Sequence, residues 1–243
     1  MTGLPNYTYR ILARDLDFTG RASLMSLYRY IFNTASKDAE NNGFGTRELH
    51  NNNATWVISR MSFEMYATLR EFDEFYINTW VNEISRLMTT RNLLLCDPEG
   101  KTLGAAVTQW AMIDVDSRTP MDLRENMNYS KAARFDIPCP INKPVKIIPG
   151  KESDPVLERK VVYSDLDFNR HVNSVKYLEW MLDMLPLENI INNGFGRLDM
   201  NYLREALYDD RLLLSYQQED NHHLFDIKRK DETPVCRARI QWE

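Results

Sequence analysis

Residues 165–168 read DLDF, and the same tetrapeptide occupies residues 15–18. A second repeat, NNGFG, stands at residues 41–45 and again at residues 192–196. The two pairs are offset by 150 and 151 residues, so they keep almost the same register. Two anchors at a matched separation indicate a duplicated structural unit. We therefore predict that the chain contains two copies of one fold.

A proline-rich segment separates the two copies. Residues 138–155 read PCPINKPVKIIPGKESDP and hold five of the ten prolines. Proline-dense polar segments favour extended connections over packed elements. We predict an N-terminal unit over residues 1–135, a linker over 136–157 and a C-terminal unit over 158–243.

Each copy has a helical pattern followed by strand patterns. Apolar residues recur at three- and four-residue steps from Met25 to Ala35 and from Val172 to Leu185, where Pro186 ends the second run. Alternating, β-branched or aromatic segments follow and predict strands. These segments are residues 56–65, 74–81, 91–96 and 104–113, and then residues 198–207, 211–218, 223–229 and 235–242. A helix followed by antiparallel strands, repeated once, predicts an α+β fold with each sheet wrapped over its helix.

Composition excludes several classes of protein. The 43% apolar and 27% charged residues are ordinary for a globular protein, and no apolar run reaches the length of a membrane span. The three cysteines are scattered without CxxC spacing, which suits a reducing compartment and predicts no metal framework. The net charge of −5 argues against nucleic-acid binding. The N-terminus does not resemble a signal peptide, so we expect a bacterial cytoplasmic protein, with the plastid stroma also compatible.

A polar cluster precedes the second helical pattern. Asp167, Asn169 and His171 alternate, so their side chains fall on one side of an extended segment. A helix that begins at about Val172 would aim free backbone N–H groups at the same place. Such a site can polarise a carbonyl and hold an oxyanion, which suits acyl transfer. The alternative is that Asp167 or Asn169 only caps the helix and His171 is a satisfied polar residue.

The first copy offers an internal comparison. It keeps the aspartates and the phenylalanine of DLDF but has Thr19 and Arg21 where the second copy has Asn169 and His171. The retained residues are those that the fold needs in both copies. The divergence at the other two positions favours a function that belongs to the second copy alone.

Residues 165–180 resemble the signature D-L-D-x-N-x-H-V-N-N-x-K-Y of the acyl-acyl carrier protein (acyl-ACP) thioesterases of plant plastids and their bacterial relatives. Similarity extends to residues 56–61, 110–114, 117–120 and 202–206, the last of which resembles the family's Y-x-R-E-C segment. The resemblance implies a tandem double hotdog fold, with a long central helix in each unit wrapped by an antiparallel sheet.

The resemblance also implies a site and a reaction. The family's catalytic residues correspond to Asp167, Asn169, His171 and Glu205, while Ala206 stands where the family has a cysteine. The implied reaction is hydrolysis of fatty acyl-ACP, which releases free fatty acid and ends fatty acid synthesis. A carboxylate would assist the attack of water, an oxyanion would be held at the helix N-terminus, and neither cofactor nor metal would be needed. The non-catalytic N-terminal unit would hold the acyl chain.

The implied partner is an acyl carrier protein with a phosphopantetheine-linked acyl chain. Because carrier proteins are acidic, this partner implies basic docking residues. The candidates are Lys143, Lys146, Lys151, Arg159, Lys160 and residues 228–230. A homodimer is a further expectation, and His222 and His223 fit a polar turn better than a metal site. Three alternatives stay open: an acyl-CoA thioesterase, a hotdog enoyl-thioester hydratase, and a non-catalytic acyl-thioester-binding protein. The hydratase motif usually has a proline where this chain has Arg170.

Overall fold

The structure, a computed structural model, describes residues 3–125, 133–150, 157–192, 195–220 and 222–242. The chain divides into two compact units, Met1–Pro144 and Val145–Glu243. This division falls inside the segment 136–157 that the sequence predicts as a linker. Part of that segment, residues 151–156 with the candidate docking residue Lys151, lies outside the described residues.

The N-terminal unit is an antiparallel sheet with two helices. Its elements are β1 (Asn6–Arg10), α1 (Leu24–Asn41), α2 (Thr46–Asn51), β2 (Ala54–Met65), β3 (Glu74–Ile84), β4 (Thr89–Cys96) and β5 (Thr102–Asp114). Within this unit the strands lie in the order β1-β3-β4-β5-β2, and each neighbouring pair is antiparallel.

The C-terminal unit repeats this arrangement. Its elements are β6 (Leu157–Lys160), α3 (Ser174–Asp183), α4 (Leu187–Asn192), β7 (Phe195–Tyr202), β8 (Arg211–Glu219), β9 (His222–Arg229) and β10 (Pro234–Trp242). The strand order β6-β8-β9-β10-β7 is that of the N-terminal unit, position for position. The predicted duplication and the predicted α+β fold are therefore confirmed.

Each long helix begins at a side-chain cap. Ser23 accepts a hydrogen bond from the N–H of Ser26 at the start of α1, and Asn173 accepts one from the N–H of Val175 at the start of α3. Caps of this kind satisfy backbone donors that have no partner within the helix. The predicted apolar stripes form only part of the buried faces. Helix α1 also buries the polar side chains of Ser26, Thr34 and Asp38, and α3 also buries Tyr177 and Trp180.

A buried ion pair ties α1 to its sheet. The guanidinium of Arg91 on β4 lies 2.6 Å from Asp38 on α1, and both side chains are about 5% exposed or less. The carboxylate of Asp38 also accepts a hydrogen bond from the Tyr7 hydroxyl, and Arg91 donates to Thr79. This network connects β1, β3 and β4 to one face of the helix.

Two local expectations were wrong. The second NNGFG does not mark the same place as the first: Asn41 ends α1 and Gly45 directly precedes α2, whereas Asn192 ends α4 and Phe195 begins β7. The strand predicted over residues 198–207 ends at Tyr202. The short elements β1, β6, α2 and α4 were not predicted, because four to six residues give too little periodicity to recognise. No helix in the described segments is long and apolar enough to cross a membrane.

Candidate active site

The polar cluster forms a tight loop that leads into α3. The carboxylate of Asp167 accepts hydrogen bonds from the N–H groups of Asn169 (2.9 Å) and His171 (3.1 Å). Its own N–H donates to the carbonyl of His171 at 2.8 Å. Arg170, between them, has a left-handed backbone with φ of 66°. Asp167 therefore fixes the backbone that carries Asn169 and His171.

A backbone bridge brings Glu205 to this loop. His171 pairs with Leu207 in antiparallel fashion, and the N–H of Val172 donates to the carbonyl of Ala206 at 2.9 Å. As a result, Nδ1 of His171 lies 3.4 Å from Oε1 of Glu205, with the two side chains 22% and 39% exposed. The imidazole and the carboxylate are close enough to exchange a proton directly or through one water.

A residue that sequence reasoning missed holds the Glu205 segment. Arg229 at the end of β9 donates to the carbonyl of Glu205 at 2.8 Å, and its guanidinium lies 3.2 Å from Asp210. In the sequence Arg229 was only one of three consecutive basic residues. No local pattern signals a hydrogen bond to a backbone carbonyl 24 residues away.

The capping alternative is wrong in its particulars. The helix begins at Ser174 rather than Val172, and its cap is Asn173, not Asp167 or Asn169. Asp165 has the architectural role that both units share. Its carboxylate accepts a hydrogen bond from the N–H of Val162 at 2.9 Å, and its backbone carbonyl accepts one from the N–H of Asn173 at 2.8 Å.

The structure also revises the expected oxyanion site. Most backbone N–H groups between the loop and the first turn of α3 already donate within the protein: those of Asn169, Arg170, His171, Val172, Asn173, Val175 and Lys176. A bonded N–H is a poor donor to a substrate oxyanion, because the bond that it already makes would have to be broken. The side-chain amide of Asn169 is the better candidate.

The same loop recurs in the N-terminal unit with different side chains. Asp17 accepts from the N–H of Thr19 at 2.8 Å, and the bridge that pairs His171 with Leu207 pairs Arg21 with Arg70. From the register of these bridges, Thr68 occupies the place of Glu205. All three diverging positions thus lose the groups that form the cluster in the C-terminal unit.

Two further side chains of reactive types, Cys236 and His223, are buried in the C-terminal unit. Cys236 is fully buried, and burial raises the pKa of its thiol, so it is no thiolate nucleophile. His223 is 3% exposed and its Nδ1 accepts a hydrogen bond from the Trp242 indole at 2.9 Å. Among the residues that the structure describes, no group of three or more His, Cys, Asp or Glu side chains is arranged to hold a metal ion.

Several of the candidate docking cations are ion-paired. Lys143 lies 2.6 Å from Glu83, and Lys160 lies 2.6 Å from Asp209. The other pairs are Arg159 with Asp165, Lys228 with Glu232, Arg229 with Asp210, and Lys230 with Glu158. Paired charges at a surface are weak evidence for a docking site.

This chain is similar in sequence and in fold to known proteins. Residues 5–129 match the acyl-ACP thioesterase N-terminal domain, and residues 150–243 match the acyl-ACP thioesterase C-terminal domain. An oleoyl-acyl carrier protein thioesterase of Coriandrum sativum, described as chloroplastic, is 30% identical over 183 residues, which are 69% of this chain and 48% of the relative. A relative from Arabidopsis thaliana with a similar description is 29% identical over 84% of this chain and 61% of its own length. This chain thus spans only about half to three fifths of these curated plant relatives.

Two solved structures agree with the fold. An acyl-ACP thioesterase from Bacteroides thetaiotaomicron is 32% identical, with a TM-score of 0.91 over 99% of this chain and 98% of that one. The 12:0-ACP thioesterase from Umbellularia californica is 18% identical with a TM-score of 0.87 over 99% of this chain and 97% of that one, which supports the hotdog fold alone. The resemblance seen in the sequence is confirmed: this chain belongs to the acyl-ACP thioesterase family.

Proposed function

We propose that the protein hydrolyses the thioester of fatty acyl-ACP, releases free fatty acid and thereby ends fatty acid synthesis. The observation that supports this best is the 3.4 Å approach of Glu205 to His171 in the C-terminal unit alone. The N-terminal unit keeps the loop but has Thr19, Arg21 and Thr68 at the corresponding positions. A catalytic centre needs groups that can transfer a proton, and such a pair is present in one of the two duplicated units and replaced in the other.

Glu205 and His171 together activate water in this proposal. Glu205 accepts a proton from water as the water oxygen attacks the thioester carbonyl, and His171 orients that water or passes a proton to the departing thiolate. Asp167 is a positioning residue, because its carboxylate already accepts two N–H groups of the loop. The proposal thus gives different roles to the two carboxylates whose roles the sequence left open.

Asn169 stabilises the tetrahedral intermediate. Its amide can donate a hydrogen bond to the oxyanion that forms when water attacks, and that bond strengthens as negative charge develops. Collapse of the intermediate breaks the carbon–sulfur bond and gives a carboxylic acid and a thiol. Because Ala206 follows Glu205, the family's cysteine is not available here as a nucleophile.

The remaining parts of the proposal rest on the family. The N-terminal unit binds the acyl chain, an acyl carrier protein is the partner, and a homodimer in a bacterial cytoplasm is the expected setting. The relatives from plants are described as chloroplastic and one solved relative is bacterial, so the cytoplasmic setting stays a prediction.

A panel of thioesters tests the function. Acyl-ACP and acyl-CoA of matched chain lengths are assayed for released thiol with the wild type and with His171→Asn. We expect thiol release from acyl-ACP and its loss in the variant. Preference for acyl-CoA would favour the coenzyme as carrier, and hydration of an enoyl thioester without thiol release would identify a hydratase. Binding without either reaction would leave a non-catalytic acyl-thioester-binding protein.

A further inference from the structure

Arg170 has a backbone conformation that its side chain disfavours. Its φ is 66°, and the residue at the same place in the N-terminal unit is Gly20, with φ of 73°. A left-handed conformation costs a non-glycine residue about 1–2 kcal/mol. The N-terminal unit adopts the same loop with glycine at this place. The fold therefore does not require an arginine here, and the conformational strain at Arg170 has no explanation in folding. Strained residues of this kind concentrate at functional sites.

A second arginine flanks the site on the other segment. Arg204 directly precedes Glu205, is exposed, and stands where the N-terminal unit has Ala67. In the described segments, no carboxylate lies within ion-pair distance of Arg170 or Arg204. Most other cations of this unit are paired, as Lys160, Lys228 and Lys230 show. Arg170 and Arg204, which pair with no carboxylate among the described residues, are therefore candidates to bind an anion.

Exposed apolar side chains occur on the segments that carry these arginines and on the segment before the loop. Tyr163 is 87% exposed, Tyr208 is 61% exposed and Leu207 is 46% exposed. The backbone brings their segments together, because Leu207 pairs with His171 and the N–H of Asp209 donates to the carbonyl of Val161 at 3.1 Å. The N-terminal unit has Ala13, Arg70 and Glu71 at the three corresponding positions. The fold does not require apolar residues there.

We infer that Arg170 and Arg204 bind the phosphate of the phosphopantetheine arm that carries the acyl group, and that Tyr163, Leu207 and Tyr208 contact the arm itself. This inference rests on the proposed function. Arginine is well suited to phosphate because its planar guanidinium donates two hydrogen bonds to neighbouring oxygens. The arm offers amides to the tyrosine hydroxyls and a dimethyl group to their rings and to leucine. The phosphate is common to acyl-ACP and acyl-CoA, so either carrier would use these arginines.

The test replaces each arginine by the residue of the other unit. The double variant Arg170→Gly/Arg204→Ala has the residue types that stand at these places in the N-terminal unit, Gly20 and Ala67. Three substrates with the same acyl group separate the carriers: acyl-ACP, acyl-CoA and acyl-pantetheine, which keeps the arm but lacks the phosphate. The charge control is Arg14→Ala/Lys101→Gln, which removes two exposed cations of the N-terminal unit.

We expect KM for acyl-ACP and acyl-CoA to rise about tenfold or more in the double variant, since charged hydrogen bonds are lost. We expect kcat to change little and KM for acyl-pantetheine to stay within about twofold. The melting temperature should hold or rise, because glycine relieves the strain at position 170. Equal changes for all three substrates, or none, would overturn the inference. Loss with acyl-ACP alone would overturn the phosphate assignment, because it would place the arginines against the carrier protein's surface.

A binding measurement separates this inference from the proposed hydrolysis. Titration calorimetry with 4′-phosphopantetheine and with pantetheine, which differ only in the phosphate, reports on the arm without any turnover. Weaker 4′-phosphopantetheine binding in the double variant, with pantetheine binding unchanged, supports the inference even if the wild type hydrolyses nothing. Unchanged 4′-phosphopantetheine binding in the double variant contradicts it, whatever the hydrolysis assay gives.

Discussion

The backbone of His171 pairs with that of Leu207, and this bridge sets the imidazole 3.4 Å from the carboxylate of Glu205. The two residues belong to different segments of the C-terminal unit, the loop before α3 and the turn after β7. The equivalent bridge in the N-terminal unit pairs Arg21 with Arg70. One backbone arrangement therefore brings an imidazole and a carboxylate together in one unit, whereas Arg21 and Thr68 stand at the corresponding places in the other.

Asp167 should act on activity through the loop that it holds. We expect Asp167→Ala to lower kcat about a hundredfold, because the N–H groups of Asn169 and His171 lose their acceptor and the side chains shift. We expect a loss of about 1–2 kcal/mol in the free energy of unfolding. Steady-state kinetics and urea unfolding measure the two effects.

The matched control is Asp17→Ala in the N-terminal unit, where Asp17 accepts from the N–H and the hydroxyl of Thr19. It should destabilise the protein by a similar amount and leave kcat within about twofold, since this loop has no catalytic pair. If both variants lost activity equally, the positioning role of Asp167 would be wrong.

His223 should make stability fall in mild acid. Burial, and then the neighbouring His222, lower the pKa of His223 below the usual histidine value of about 6.5. Below that value the unfolded chain binds a proton that the folded protein resists, so stability is lost as the pH falls towards the folded pKa. The loss is about 1.4 kcal/mol per unit of lowering. Protonation would also break the hydrogen bond from Trp242 to Nδ1.

Urea unfolding between about pH 5 and 7 measures this dependence. In His223→Gln the fall with acid should be smaller than in the wild type. The exposed His50, replaced by Gln, serves as the control and should leave the wild-type dependence intact. Identical pH dependence in His223→Gln and the wild type would show that His223 titrates normally.

Removing one member of the buried pair of Asp38 and Arg91 should lower the free energy of unfolding more than replacing both members with apolar residues. We expect Asp38→Ala to lower the free energy of unfolding by about 3–5 kcal/mol, because it leaves Arg91 buried without its counter-ion. We expect Asp38→Leu/Arg91→Met to cost much less than that, since both charges are removed together. Denaturant unfolding of the two variants decides the matter, and a small cost for Asp38→Ala would mean that water or another acceptor solvates the guanidinium.

The sequence predicted what is repeated or periodic. DLDF recurs because the same backbone is built twice: Asp15 and Asp165 each accept the N–H group three residues before them, at 3.0 and 2.9 Å. The apolar periodicity predicted α1 and α3 because their buried faces are long enough to show the helical repeat. The resemblance supplied Glu205, which no local pattern would have connected to His171.

Features that depend on distant contacts could not be predicted from the sequence. The hydrogen bond from Arg229 to the carbonyl of Glu205 depends on where β9 ends relative to β7. The helix begins two residues later than expected because Val172 forms an antiparallel bridge with Leu166 and Asn173, with ψ of 132°, is the cap. The left-handed backbone of Arg170 could not be predicted from its residue type, because arginine disfavours the conformation that Gly20 adopts at the corresponding place.

The central claim is that Glu205 takes part in the chemistry, and Glu205→Gln tests it most directly. The substitution keeps the size of the side chain and removes its capacity to accept a proton, while Thr68→Gln makes a matched change in the N-terminal unit. With acyl-ACP as substrate, we predict that Glu205→Gln lowers kcat about 10²- to 10⁴-fold, with melting temperature and KM nearly unchanged. Thr68→Gln should retain wild-type kcat. A Glu205→Gln enzyme whose kcat stays within about threefold of the wild type would contradict the account.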